Sequence, residues 1–247
     1  LIPNPIHRVL STFRSCGVHA LLMGGQACVF YGAAEFSRDT DFALLADAAN
    51  LERLDAALRE LQASLIAVPP LSLEYLRRGH AVHFRCRHPD ADGLRVDVMS
   101  TMRGVAEFPQ LWERRTTLQG ADGTIYELMS LPDLVQAKKT QRDKDWPMIR
   151  RLIEADRVAC RGTPSQEQVR FWLREGRTPQ LLVDLACQFP DEAAALAKGL
   201  RPLLTAALQD DEAGVEAGLI EEERIERAAD REYWIPLKRE LERLRHA

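Results

Sequence analysis

Residues 23–45, MGGQACVFYGAAEFSRDTDFALL, set two glycines a fixed distance ahead of a pair of aspartates. The segment follows HALLM, an apolar run short enough for a strand. Gly24 and Gly25 then stand where a helix begins, and Ala27, Val29, Phe30 and Tyr31 suit a helix packed on a sheet, drawn through GGQACVFYGAA. DTDFALL reads as the next strand. A loop that only connects needs neither Gly-Gly nor Asp-x-Asp. Either the pair holds a phosphate and a metal, or it is a turn followed by a polar strand end.

The geometry of a strand sharpens the question. Residues i and i+2 share a face, so Asp39 and Asp41 project together while Thr40 faces the other way. Neighbouring carboxylates repel unless a cation, a proton or solvent screens them. A hard divalent ion such as Mg²⁺ suits them, because it takes oxygen ligands and is usually shared with substrate phosphates. Glycines at a strand-to-helix junction let a phosphate approach backbone N–H groups. A third carboxylate, Asp97, lies in LRVDVMS among Val96, Val98 and Met99, where an aspartate is costly without a partner. Were that strand beside the first, the three could hold two metal ions, with Asp97 as ligand or general base. The bland alternatives are a solvated strand end for each aspartate.

Outward from this segment, the first half alternates helix and strand. Residues 5–16 carry Ile6, Val9, Leu10 and Phe13 at helical spacing, and residues 48–63 carry Leu51, Leu54, Leu58 and Leu61. AVHFRC and LRVDVMS read as strands around a turn, HPDADG; TTLQGADGTIYELMS reads as a hairpin with Ala-Asp-Gly at its tip. From Leu131 the pattern is helical throughout, with RGTPSQ as a linker and Ser165 as an N-cap. The expected fold is α/β (α+β), a mixed sheet with flanking helices, followed by an α-helical C-terminal region. The domains divide as 1–130 and 131–247, with 131–160 completing a site and 165–247 forming a helical domain.

Together, GGQACVFYG, SRDTDF, LRVDVMS and LVQAKKTQRDKDWPMI resemble the polymerase-beta-like nucleotidyltransferases, specifically the small bacterial toxin or abortive-infection type. The resemblance spans residues 21–152. It implies a nucleotidyltransferase fold, a catalytic and metal-binding set of Asp39, Asp41 and Asp97, and two Mg²⁺ ions, or Mn²⁺ in their place. It also implies that Gly24, Gly25, Ser37, Lys138, Lys139, Arg142 and Lys144 bind nucleotide, with Asp145 matching the aspartate after the last lysine. The implied partners are an NTP, a hydroxyl acceptor that is RNA, protein or a small molecule, and an antitoxin protein. Two departures are Glu35, where relatives often carry arginine, and Thr40, where an aliphatic is usual. The rivals are a module of the same fold that has lost its chemistry, and a helical interaction protein with an incidental α/β start.

Bulk properties fit a globular chain: 247 residues, 46% hydrophobic and 28% charged. They suggest neither a membrane span nor a secretory signal, and five scattered cysteines suggest buried free thiols, so the expected address is cytoplasmic. The net charge of −4 argues against sequence-independent wrapping of nucleic acid. It conceals eight basic against four acidic residues in 138–161, and five against twelve in 210–242. Arg150, Arg151 and Arg157 are either contacts for an acidic acceptor or a solvated face. Tyr233 and Trp234 read as core contacts rather than a base-stacking pair. His80, His83, Cys86 and His88 match no usual zinc spacing and read as a polar strand face.

Overall fold

The computed structural model describes residues 4–37, 39–120, 123–160 and 162–246. Outside them lie Arg38 of the SRDTDF motif, Ala121 and Asp122 at the expected hairpin tip, and Arg161 of the expected linker. Contacts divide the chain into two units. Leu1–Phe30, Ala34–Ala137 and Tyr233–Ala247 make the first; Tyr31–Ala33 and Lys138–Glu232 make the second. The expected boundary lies after residue 130, with 131–160 and 165–247 distinguished beyond it. In the structure the helix after that point stays with the sheet, and the C-terminal residues belong to the same unit.

The fold is α+β. The first unit holds α1 (Asn4–Ser15), β1 (Ala20–Met23), α2 (Gly24–Phe30), β2 (Asp39–Leu44), α3 (Ala48–Glu60), β3 (Ser64–Leu65), α4 (Leu73–Arg78), β4 (Val82–Arg85), β5 (Arg95–Met99), α5 (Phe108–Glu113), β6 (Thr116–Gln119), β7 (Ile125–Leu128) and α6 (Leu131–Ala137). Among the described residues the strands form one seven-stranded mixed sheet, ordered β3-β4-β5-β2-β1-β7-β6. The pairs β2/β5 and β1/β7 are parallel; the other four are antiparallel. The expected strands therefore form, and the expected hairpin is β6 with β7. The sequence reading misses β3, α4 and α5, each at most six residues long and too short to show a period.

Why the two central strands sit side by side is visible at their ends. Asn50, fully buried, accepts from His19 N at 2.7 Å and donates to the carbonyls of His19 and Leu45 at 3.0 and 2.8 Å. Asp47 caps α3 by accepting from Asn50 N at 2.7 Å, which fixes Asn50 for this task. On the apolar side, Ile6, Val9 and Phe13 of α1 are buried, and Phe13 stacks on Phe42 of β2 at 4.5 Å.

Thr40, between the two aspartates, points into this core as its position predicts. It is 0% exposed, beside Val96, and its Oγ1 has no hydrogen-bond partner among the described residues. A buried hydroxyl without a partner costs about 1–3 kcal/mol. Thr40→Val is therefore expected to raise stability by about 1 kcal/mol in urea denaturation. A loss of stability in that variant would show that the hydroxyl is satisfied after all.

The second unit is helical: α7 (Asp145–Ala159), α8 (Gln166–Glu175), α9 (Pro179–Gln188), α10 (Pro190–Ala197), α11 (Leu204–Leu208) and the first part of α12 (Glu212–His246). Ser165 caps α8 as expected, in a full capping box with Gln168. Arg201, 2% exposed, donates to Leu173 O and Gly176 O at 2.7 and 2.8 Å and to Glu222 Oε1 at 3.0 Å. It satisfies the carbonyls at the end of α8 and ties them to α12.

The last part of α12 belongs to the first unit, where His80 Nε2 lies 2.7 Å from Glu240 Oε2 and Arg78 pairs with the same carboxylate. Tyr233 is half-buried, with its hydroxyl against Gly79, which agrees with a core contact. Among the described residues no helix is long and apolar enough to cross a membrane. The cysteines correct one expectation: all five are free, but only Cys28 and Cys86 are buried, and Cys187 on α9 is exposed.

Candidate functional site

Three strands put their polar residues on one face. Asp41 pairs with Asp97, and Asp39 with Arg95, across the parallel β2/β5 ladder. His83 pairs with Asp97, and Arg85 with Arg95, across the antiparallel β4/β5 ladder. Paired residues point to the same side, so this face carries Asp39 and Asp41, Arg95 and Asp97, and His83 and Arg85. The alternate residues, Thr40, Phe42, Val82, Phe84, Val96 and Val98, are buried on the other face. Neighbouring strands lie about 4.8 Å apart, so the backbones of Asp41 and Asp97 are adjacent. The sheet thus brings together the carboxylates that the sequence separates by more than fifty residues.

The glycines join the same place. Met23 pairs with Asp41, so the residue that follows β1 arrives beside that carboxylate. Gly24 has φ +66°, and a Cβ there would lie 2.7 Å from Asp41 Cβ and closer still to its carboxylate. At Gly25 a Cβ would lie 2.6 Å from Ser37 Oγ. Gly24 is therefore required by close approach and by its left-handed backbone, whereas Gly25 lets Ser37 sit close. Ser37 in turn donates to Asp39 O at 3.0 Å. The helix after them is shorter than the sequence suggests. It ends at Phe30 rather than Ala34, where residues 31 and 32 turn. Two turns carry a small dipole, so an anion here would be met by individual N–H groups rather than by a long helix.

Asp97 has partners that the sequence reading does not name. Arg95 Nε donates to its Oδ1 at 2.7 Å, and His83 Nδ1 lies 2.9 Å from the same oxygen. Arg95 Nη2 is also 3.0 Å from His83 Nδ1. That nitrogen serves one neighbour at a time: protonated it donates to Asp97, and unprotonated it accepts from Arg95. Burial pushes the Asp97 carboxyl up, but the bonds and charges of His83 and Arg95 outweigh it and leave the group below its ordinary value. Arg95 is held above its own ordinary value by the bond to Asp97, against burial, with Asp39 and Asp41 adding to it. The missing signal was register. Once AVHFRC and LRVDVMS pair antiparallel, His83 falls opposite Asp97, and Arg95 is two residues away on the same side. The other members of the His/Cys group go elsewhere: His80 to Glu240, His88 Nδ1 to Asp90 N at 3.1 Å, and Cys86 into the core, where burial pushes its thiol up to about 11.

Lys138, Lys139, Arg142, Lys144 and Asp145 all lie in the second unit. Lys138 Nζ is 3.1 Å from Asp145 Oδ1, and Arg142 Nε and Thr140 Oγ1 donate to Oδ2 at 2.7 and 2.6 Å. Lys139 Nζ is 2.9 Å from Glu175 Oε2. Both lysines thus end on carboxylates with little exposure, and reaching a phosphate would require breaking those pairs. Arg142 and Lys144 are exposed, as are Arg150 and Arg151.

Asp145 is buried. Burial pushes its carboxyl up, yet Lys138, the Thr140 bond and Arg142 leave it below its ordinary 3.8. Its charge therefore stabilises the fold at all pH above that value and ceases to do so as pH falls through the lower, folded one. Asp145→Asn, which leaves Lys138 buried without its counter-charge, is expected to cost about 3 kcal/mol at pH 7. In thermal melts the gap to wild type should narrow below pH 3.8. A gap constant from pH 7 to 3 would contradict this.

Among the described residues, no three His, Cys, Asp or Glu side chains are grouped so as to hold a metal ion. The backbones of Asp39, Asp41 and Asp97 share one face, but Asp97 is turned to Arg95 and His83. A cleft of about 640 Å³ in the second unit, lined by Glu154, Arg157, Trp172, Thr178, Asp184 and others, includes Arg157 but none of the candidate catalytic, metal or nucleotide residues. No family model matches the chain, and no curated protein sequence matches it.

Proposed function

We propose that the chain is a Mg²⁺-dependent nucleotidyltransferase of the polymerase-beta-like type. It would move a nucleoside monophosphate from an NTP to an acceptor hydroxyl and release pyrophosphate. The observation that carries this reading is the pairing of Asp41 with Asp97, with Gly24 packed on Asp41 and Gly25 on Ser37. Three motifs scattered over residues 24–97 meet on adjacent strands, an arrangement that a connecting turn does not need.

The donor set fits a hard divalent cation: carboxylate oxygens only, on one sheet face, with Asp39 exposed and Asp41 and Asp97 half-buried. Asp39, Asp41 and Asp97 would hold it. When bound, Mg²⁺ would neutralise triphosphate charge and favour the ionised form of the acceptor hydroxyl. The protein's own share is placement. The glycines let Asp41 and Ser37 close on the backbone that opens α2, whose N–H groups would meet the triphosphate, and Ser37 would donate to it on leaving Asp39 O. Asp97 would accept the acceptor's proton once its present partners, Arg95 and His83, move.

Incubation with each α-labelled NTP and Mg²⁺, in the presence of total RNA, the protein alone, or a panel of small hydroxylated molecules, tests this. Label in any acceptor supports the reading and names the acceptor class. Absence of transfer to all three, with NTP still bound, would support the second reading, a nucleotide-binding module without chemistry. One observation favours that second reading: the bond from Arg95 that occupies Asp97.

A further inference from the structure

We propose that Arg95 is a built-in stand-in for the metal: it holds Asp97 while the site is empty of cations, and a divalent ion must displace it. This rests on the metal-binding reading of the same face. Three carboxylates, Asp39, Asp41 and Asp97, share that face, and like charges so placed need a counter-ion. Arg95 supplies it from within. It stands opposite Asp39 in the ladder, its Nε reaches Asp97 Oδ1 at 2.7 Å, and its positive charge is felt by Asp41 as well. Its guanidinium remains charged at any working pH.

The other arginine of the face among the described residues does not share this role. Arg85, the ladder partner of Arg95, is directed to Gly93 O at 3.4 Å. His83 touches the same Asp97 oxygen at 2.9 Å, and so braces the carboxylate in its Arg95-bound orientation.

An ion that takes Asp97 as a ligand must therefore exchange with Arg95. The exchange has two consequences. Metal affinity is lower than the three carboxylates alone would give, so Arg95 sets a threshold concentration of divalent cation below which the site stays closed on itself. Once displaced, the guanidinium is released at the edge of the carboxylate face, beside exposed Asp39, where a bidentate donor is suited to phosphate oxygens. Arg95 is thus a positioning residue acting through Asp97, not a ligand.

The test is Mn²⁺ binding by the full chain, followed by titration calorimetry and by the electron paramagnetic resonance of free Mn²⁺. Arg95→Met is expected to bind Mn²⁺ about tenfold more tightly than wild type, and Arg95→Lys, which keeps the charge, to stay near wild type. Arg95→Gln gives the same reading as Arg95→Met should that variant not fold. In EDTA, Arg95→Met is expected to melt below wild type, with the difference closing as Mn²⁺ is added. A merely structural arginine would lower the melting temperature without tightening Mn²⁺. Unchanged or weaker binding in both uncharged variants, with Asp41→Asn still abolishing it, would overturn the Arg95 proposal and leave the metal site standing. No Mn²⁺ bound by wild type or by any Arg95 variant would overturn both.

Discussion

Asp41→Asn is expected to abolish the proposed nucleotidyl transfer while leaving the fold intact. Asp41 joins several parts of the candidate site: Gly24 packs on it, Met23 and Asp97 are its ladder partners, and it shares a face with Asp39. Metal-assisted charge stabilisation is worth several kcal/mol, and each tenfold in rate is about 1.4 kcal/mol. Loss of one ligand should therefore reduce transfer by at least roughly a hundredfold. The isosteric amide keeps the contact with Gly24, so the melting temperature should change little. Transfer at near wild-type rate by folded Asp41→Asn would remove these aspartates from the chemistry.

Gly24→Ala carries a large expected structural penalty. The backbone at Gly24 is left-handed, which costs an alanine about 1–2 kcal/mol. The new methyl would also lie within 2.7 Å of Asp41 Cβ, so either β1 or β2 must shift at its end. The combined cost is expected to be about 3 kcal/mol in denaturant unfolding. Gly25→Ala meets only Ser37, its hydroxyl at 2.6 Å and its Cβ at 3.2 Å, and has no left-handed backbone to strain, so it should unfold much closer to wild type. Equal stability of Gly24→Ala and wild type would contradict the close approach described above.

The parts of the fold that the sequence made legible are those with a period or a stop. The two-residue alternation of DTDF placed Thr40 on one face and the aspartates on the other, and the structure has them so. The apolar spacing of residues 5–16 and the Ser165 cap likewise mark real helix positions. What escaped was non-local. Nothing within LRVDVMS says which strand it adjoins, so its pairing with DTDFAL rested on the condition that the strands be neighbours. The roles of His83 and Arg95 follow only from that pairing together with the hairpin register. The pairing of Lys138 and Lys139 does not show in the sequence, because their carboxylate partners, Asp145 and Glu175, sit seven and thirty-six positions away. The C-terminal helix reads as one polar-apolar run, and its sequence does not show that residues from Tyr233 onward side with the sheet.

The most direct measurement is a crystal structure with Mn²⁺ and a non-hydrolysable NTP, using the anomalous signal of manganese to locate the metal. The account predicts manganese bonded to Asp41 and Asp97, the triphosphate against Gly24 and Gly25, and Arg95 parted from Asp97. Nucleotide and manganese bound elsewhere, with Asp97 still tied to Arg95 and His83, would contradict it.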